Sequence, residues 1–446
     1  MALDHSTSII IVGAGTWGCS TALHLARRGY KNVKVLDPYP VPSPISAGND
    51  VNKIASELSI ITARSSSFAD DSDDEVHVAR KLLEASMEGW LYDPVFKSHY
   101  HETGFIAAAS SPANITKLQQ QAQEDKKSDF KYLSTPEDFR KTMPEGVLTG
   151  DFPGWWGWQK KTGAGWVHAR NALISAAAEA KRLGVTFITG SPQAHVTSFV
   201  YEQGDIKGAK TADGKDHRAD RTILCAGASA IELLDFKDQL RPTAWTLAHI
   251  KMTPEEAALY KYLPVLFNVE RGFFMEPDSD NHELKMCDEH PGYCNWVNNS
   301  ADGQRKSLPF PKSQIPVEAE QRCRGFLRET MPQLADRPFS FARICWCADT
   351  PNRSFLIDRH PEYPSLVLGV GGSGHGFSCI PAIGKFIVEA MEGTLDPKMA
   401  ESYRWRPETA VNRDWNDTQG RSGGTNEVMD FQKVTQWTAI GSESRL

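Results

Sequence analysis

The eight cysteines (Cys19, Cys225, Cys287, Cys294, Cys323, Cys345, Cys347 and Cys379) include no CxxC pair, and the histidines offer no zinc-finger spacing around them. A structural metal is therefore not expected. A basic excess is missing too: 49 Lys and Arg face 56 Asp and Glu, giving a net charge of −7 with both signs interspersed. Without a basic stripe there is nothing to neutralise a phosphate backbone, which argues against a nucleic-acid partner. Long apolar runs are equally lacking. The run at 9–12 is far too short for a signal peptide or a membrane span, and the opening Met-Ala-Leu-Asp-His has no basic flank, so an intracellular protein with reduced thiols and no membrane partner is expected. Repeats and low-complexity tracts are absent. The densest acidic run, Asp70, Asp71, Asp73, Asp74 and Glu75, reads as a solvated loop entering a helix.

What is present is an ordinary globular composition, 40% hydrophobic and 24% charged, in 446 residues. That length exceeds what one core usually organises, so two connected domains are expected. Residues 8–12 form a β-branched run without alternation, the pattern of a strand buried on both faces. Gly13-Ala14-Gly15-Thr16-Trp17-Gly18 follows at once, then a helix over 19–28 with apolar positions at helical spacing, a stop at Gly29, and a second strand over 33–36 ending at Asp37. This is a complete βαβ unit.

Downstream, the pattern predicts helices over 76–90, 115–123, 168–183 and 318–329, a Trp-rich patch at Trp155, Trp156 and Trp158, and a hairpin turn at Asp213-Gly214. Strands over 246–251, 265–269, 272–275 and 283–287 suggest an antiparallel sheet, and 341–347, 366–370 and a helix ending near Met391 return to the first domain. The chain thus reads as α/β, with a discontinuous Rossmann-type dinucleotide-binding domain (1–60, 160–240, 340–395). A second, α+β substrate domain built on an antiparallel sheet takes 61–159 and 241–339, and 396–446 is left as a tail packed on the surface.

The glycine fingerprint gains force from its context. Gly13 permits the tight turn, Gly15 lets the backbone approach a pyrophosphate, Gly18 brings helix against strand, and Asp37 stands where a ribose contact is needed. A free helix N-terminus adds N–H donors and positive dipole. NAD and FAD share the ADP half that this motif reads. A second cluster, Gly371-Gly372-Ser373-Gly374-His375-Gly376, favours FAD, because a second helix N-terminus behind it could face the flavin ring and stabilise its anionic reduced form.

The Gly13 to Gly18 motif, Asp37, Cys345-Trp346-Cys347-Ala348-Asp349-Thr350, Phe355-Leu356-Ile357-Asp358 and Ser373-Gly374-His375-Gly376-Phe377 resemble the sarcosine-oxidase group of FAD amine oxidases. More closely, the chain is similar over essentially its full length to the amadoriases, or fructosyl amino acid oxidases. Asp37-Pro38-Tyr39-Pro40-Val41-Pro42, Ala47-Gly48-Asn49-Asp50-Val51-Asn52-Lys53 and Cys287-Asp288-Glu289-His290-Pro291-Gly292 carry that likeness.

The resemblance implies oxidation of a glycated amino acid by dioxygen, with FAD joined through its 8α-methyl group to Cys345. Cys347 lies on the same face of a regular strand, so spacing alone leaves either thiol available. Lys285 is implied as the cation beside flavin N5 that promotes oxygen reduction, against the plain alternative of a snorkelling surface lysine. Asn49, Asn52 and Lys53 belong to a loop over the flavin, Asn52 and Lys53 with a part in catalysis. Thr16, Trp17, Val196, Ala226, Gly227, Gly374, His375, Gly376, Phe377 and Ser378 complete the implied cofactor contacts. Glu283, Arg413, Gly374 and Arg64 are implied substrate contacts, since an Arg fork suits a carboxylate. The register around Glu283 is open by a residue or two. Several relatives carry a lysine after Gly-His-Gly-Phe where this chain has Ser378. The terminal Ser444, Arg445 and Leu446 resemble a peroxisomal address read by an import receptor, and a monomer is expected.

Overall fold

Strand Ser8–Val12 is buried at four of its five positions, with Ile11 fully enclosed, because it lies inside a six-stranded sheet. In this computed structural model, which describes residues 4–56, 74–124, 130–298, 305–413 and 427–440, the strand order is Leu356–Arg359, Leu366–Val370, Arg221–Leu224, Ser8–Val12, Asn32–Asp37 and Thr186–Thr189. All neighbours run parallel except the edge strand Leu356–Arg359. Helices Thr16–Arg27, Ala169–Arg182 and Ile383–Glu392 share one apolar cluster with this sheet. The small sheet Val196–Glu202, Asp205–Thr211 and Asp216–Arg218 joins a second cluster with Ile10, Val12 and Leu36. Covering both faces is what allows a parallel sheet so apolar a sequence.

A ten-stranded mixed sheet forms the second layer. Its spine is Arg241–Lys251, paired antiparallel with Glu283–Asp288 on one side and with Phe341–Asp349 on the other. The even positions Ala248, Ile250, Leu284, Met286 and Ala342 pack with Phe326 and Leu327 of helix Val317–Thr330. Side chains alternate across a strand, so the odd positions of all three strands face the other way. That opposite face carries Trp245, His249, Glu283, Lys285, Cys287, Arg343, Cys345 and Cys347.

Three expectations change. Trp156–Lys160 is a strand of the larger sheet rather than an irregular patch; Trp158, in this strand, is enclosed by its cluster. The stretch after 395 is partly internal: Met399 and Tyr403 of helix Pro397–Tyr403 are fully buried, and Met429–Asp430 adds a parallel strand beside Tyr293–Cys294. Its scattered apolar residues hid this, because each element is too short to show a period. The third concerns the helix behind the second glycine cluster, which starts only at Ile383. Its N-terminus abuts the first helix, where Gly384 N donates to Ser20 Oγ at 2.9 Å and a Cβ on Gly384 would lie 2.3 Å from the Ser20 carbonyl. That N-terminus is used in packing. Arg64 and Ser444, Arg445 and Leu446 lie outside the described residues. Among the described residues no helix is long and apolar enough to cross a membrane.

The same helix contact makes stability pH-dependent. His24 Nε2 lies 2.8 Å from the Pro381 carbonyl, and burial, helped by Arg27 and Arg28, pushes its pKa down to about 4. A histidine whose folded pKa is depressed leaves more protons on the unfolded chain, so its contribution is full above about pH 6.5 and is lost as pH falls toward 4. Replacing His24 by Gln is expected to flatten the decline in urea-unfolding free energy across that window by about 2 kcal/mol. An unchanged slope would show that the ring is solvated.

Candidate active site

Helix Thr16–Arg27 begins at Gly15 with no side-chain cap and no acidic residue in its first turn, which leaves its N–H donors and positive dipole end available to an anion. Gly13 has φ 101°, in the region glycine tolerates, and a Cβ on Gly18 would fall 1.9 Å from the Gly13 carbonyl. Gly15 is different: among the described residues only Ser46 Oγ lies within 4 Å of its missing Cβ, at 3.5 Å. Two glycines therefore close the corner, and the third leaves space above it. Asp37 accepts from Ala14 N at 2.7 Å and from Tyr39 N at 2.9 Å; burial raises its carboxyl against these two bonds. Ala226 and Gly227 flank the corner from the neighbouring strand, where Ala226 Cα lies 3.0 Å from the Gly13 Cβ position. The Val196 side chain is packed in the apolar cluster with Val12 and Leu36, so any contact it makes is through backbone.

From Ser46 the loop runs to the face of the large sheet that carries Lys285 and Cys345, and Arg343 holds it there. The guanidinium donates to the carbonyls of Pro44 (2.9 Å), Ser46 (3.2 Å) and Asn49 (2.8 Å). At the end of this loop Asp50 Oδ2 accepts from Lys285 Nζ at 2.7 Å and from Lys53 Nζ at 2.6 Å. Lys285 is 1% exposed, also donates to the Asn52 carbonyl at 3.0 Å, and lies 5.8 Å from the centre of the Phe273 ring. The snorkelling alternative is thereby removed. Burial alone would raise the Asp50 carboxyl, but Lys285, Lys53 and Arg343 hold it well below the usual carboxylate range. Burial would likewise lower Lys53, yet Asp50, followed by the nearby Cys345 and Cys287 thiols, raises it above the ordinary lysine value. Two cations sharing one buried carboxylate leave a net positive site beside Cys345. Both side-chain atoms of Asn52, fully buried, lack a hydrogen-bond partner among the described residues, which is costly unless a bound group supplies one.

The second glycine turn meets the first. Trp17 Nε1 donates to the Gly376 carbonyl at 3.0 Å, and the Trp17 ring packs edge-on against Phe355 at 4.8 Å. His375 stacks on Phe355 at 5.0 Å, Ser373 N donates to the Ala348 carbonyl at 3.1 Å, and Gly374 has φ 80°. A Cβ on Gly48 would touch both Thr16 Oγ1 (2.4 Å) and Phe377 (3.3 Å). Both glycine corners and the 43–53 loop thus converge over the Cys345 strand. Ser378 Oγ donates to the His375 carbonyl at 3.0 Å and its own carbonyl accepts from Trp90 at 2.7 Å, so its hydroxyl is committed to the turn.

Cys345 pairs with Trp245 and Cys347 with Thr243, both on the open face. Cys345 stands near the Lys53 ammonium. Two of the four implied substrate residues, Glu283 and Arg413, are not brought together. Glu283 sits by His249 and Ser340, at the Phe341 end of the strand Phe341–Asp349, while Arg413 donates to the Pro351 carbonyl past its other end. The nine residues of that strand lie between them, about 30 Å of extended chain. Glu289 keeps the parity of Glu283 and Lys285 but lies at the Arg413 side, next to His290, whose ring packs on Trp245 at 4.6 Å. A carboxylate serving the same ligand as Arg413 is better placed at Glu289. Sequence reading also passed over Asp50, Arg343 and His249; their partners stand up to 299 residues away, and no local pattern announces them. His168, Asp278 and Asp280 offer ligand atoms within 4.8 Å of one another, but His168 accepts from Asn171 N as a helix cap and its Nε2 lies 3.2 Å from Asp278, an arrangement complete without an ion.

Comparison with known proteins agrees with this geometry. The FAD dependent oxidoreductase family model matches residues 8–390. The crystal structure of the deglycating enzyme fructosamine oxidase (Amadoriase II) from Aspergillus fumigatus, in complex with FSA, superposes with a TM-score of 0.93 at 59% identity, covering 98% of each chain. Fructosyl amine:oxygen oxidoreductase (Amadoriase I) from the same organism gives a TM-score of 0.93 at 59% identity over 99% of each chain. The L-saccharopine oxidase of Schizosaccharomyces pombe is 29% identical, over 90% of this chain and 93% of its own length.

Proposed function

We infer from one premise, that this chain belongs to the FAD dependent oxidoreductase family and within it to the amadoriases, that it carries out FAD-dependent oxidative deglycation of fructosyl amino acids. The products are the free amino acid, glucosone and hydrogen peroxide. The observation that carries the reading is the buried Lys285 ammonium, held by Asp50 on the sheet face that also bears Cys345.

The residues fit FAD. The uncapped helix end and the space over Gly15 suit the pyrophosphate, and the orphaned Asn52 amide suits a ring edge with donors and acceptors. FAD, when bound, supplies a hydride acceptor for the carbon beside the substrate amine. The protein holds the amine in its neutral form, excludes water with the loop clamped by Arg343, and presents Lys285 as a fixed cation where dioxygen takes up charge. Arg413 and Glu289 stand toward the end of the site where the amino-acid portion would lie. With Ser378 bonded to the turn, no cation follows Gly-His-Gly-Phe here, and Arg413 is left to meet the substrate carboxylate.

Peroxide release measured with fructosyl-valine, fructosyl-lysine and sarcosine tests the assignment; turnover of sarcosine alone would overturn it. A thioether from Cys345 to the flavin is part of the same reading, supported by the place of Cys345 on the sheet face that also bears Lys285. Acid-precipitated wild-type protein is expected to stay yellow and to yield a flavin adduct on the tryptic peptide containing Cys345. Cys345→Ala is expected to release its colour; colour retained in that variant would move the attachment to Cys347.

A further inference from the structure

His249 is 4% exposed and lies on the sheet face that bears Lys285 and Cys345. Its Nδ1 lies 2.9 Å from Glu283 Oε2, and Phe341 packs on the ring at 5.0 Å. Nε2 is buried and has no hydrogen-bond partner among the described residues. Across the sheet its register partner is Lys285, which bonds Asp50. In the other direction Glu283 accepts from Ser340 Oγ at 3.0 Å and keeps 18% of its side chain exposed. The charged and titratable groups around the ring are Lys251 on its own strand, Glu283 and Lys285 on the next, Arg343 on the third, and Asp50 and Lys53 on the loop. An imidazole with one nitrogen on a solvent-reaching carboxylate and the other free in a closed space is built to pass protons inward.

We propose that His249, oriented by Glu283, is the route by which protons from the medium reach the Lys285–Asp50 pair. The proposal rests on the oxidase reading and deepens it. Reduction of dioxygen to hydrogen peroxide takes two electrons and two protons. The hydride removed from the substrate carbon accounts for both electrons and one proton, so one proton must come from the medium each turnover. Hydrolysis of the resulting iminium returns one, and the cycle balances. Lys285 and Asp50 are each 1% exposed; Lys53, a cation 23% exposed, bonds Asp50 from one side, and on the other side His249, beside Lys285 across the sheet, is backed by Glu283, which reaches solvent.

The holoenzyme provides the test. His249→Gln is expected to slow reoxidation of the substrate-reduced enzyme at least about tenfold, to change reduction by fructosyl-valine less than threefold, and to raise the solvent isotope effect on reoxidation. Glu283→Gln, which keeps the hydrogen-bond acceptor, is expected to give the same selective loss in smaller degree, and added imidazole to restore part of the rate in His249→Gly. A readout without turnover is histidine-labelled NMR of the oxidised holoenzyme: Nδ1 is expected to carry the ring proton, with Nε2 unprotonated. Equal slowing of both half-reactions, absence of imidazole rescue, or a ring protonated at Nε2 with Nδ1 bare would overturn the relay. If wild-type protein neither reduces with a fructosyl amine nor reoxidises in air, the oxidase reading fails; if wild type cycles and the variants match it, only the relay fails.

Discussion

Lys285→Met is expected to slow reoxidation of the reduced enzyme by about 10²- to 10³-fold, the range for removing one preorganised charge from a closed site, while reduction by substrate changes a few-fold at most. The physical reason is the placement of its ammonium. It is 1% exposed, held by Asp50 and the Asn52 carbonyl, and so has no reorganisation to undergo when superoxide charge develops. Methionine retains the length and apolar body of the side chain and removes only the charge. Stopped-flow traces of the two half-reactions separate the effects, and equal slowing of both would mean that Lys285 shapes the pocket rather than assisting dioxygen.

Asp50→Asn should be the most damaging polar substitution for stability. Lys285 and Lys53 would then face one another without their shared counter-ion, and breaking a buried pair in this way costs about 3–5 kcal/mol. Acid should imitate the variant. The Asp50 carboxyl is held below the usual carboxylate range, so its contribution is present above about pH 4 and is lost as the pH falls toward its folded value. Urea titrations at pH 7 and below pH 4 should show a large wild-type excess over Asp50→Asn that shrinks on acidification. A difference under about 1 kcal/mol at pH 7 would show that water, not the carboxylate, solvates the two ammoniums.

The βαβ unit was readable because its signals are local: a β-branched run, three glycines whose spacing serves one corner, a helix stop and Asp37. The helices 168–183 and 318–329 were legible to within a residue or so for the same reason, one apolar stripe on one face. Trp156–Lys160 was not, because its aromatic residues show no clean alternation when both faces are enclosed. Within the site, resemblance located Lys285 and Cys345 but said nothing of what fixes them. Asp50 acquires meaning only when a residue 235 positions away arrives beside it. That Glu283 and Arg413 stand toward opposite ends of the strand Phe341–Asp349 is legible only from strand register and from the fold around Pro351.

Arg343 and Cys345 are next-but-one neighbours on a single strand, one gripping the loop that roofs the site, the other the proposed point of flavin attachment. Roof and tether are thus mounted on the same rail. If the sheet flexes as a unit, both travel together, and the gap between them, where substrate and dioxygen must each fit, keeps its width while the rest of the molecule breathes.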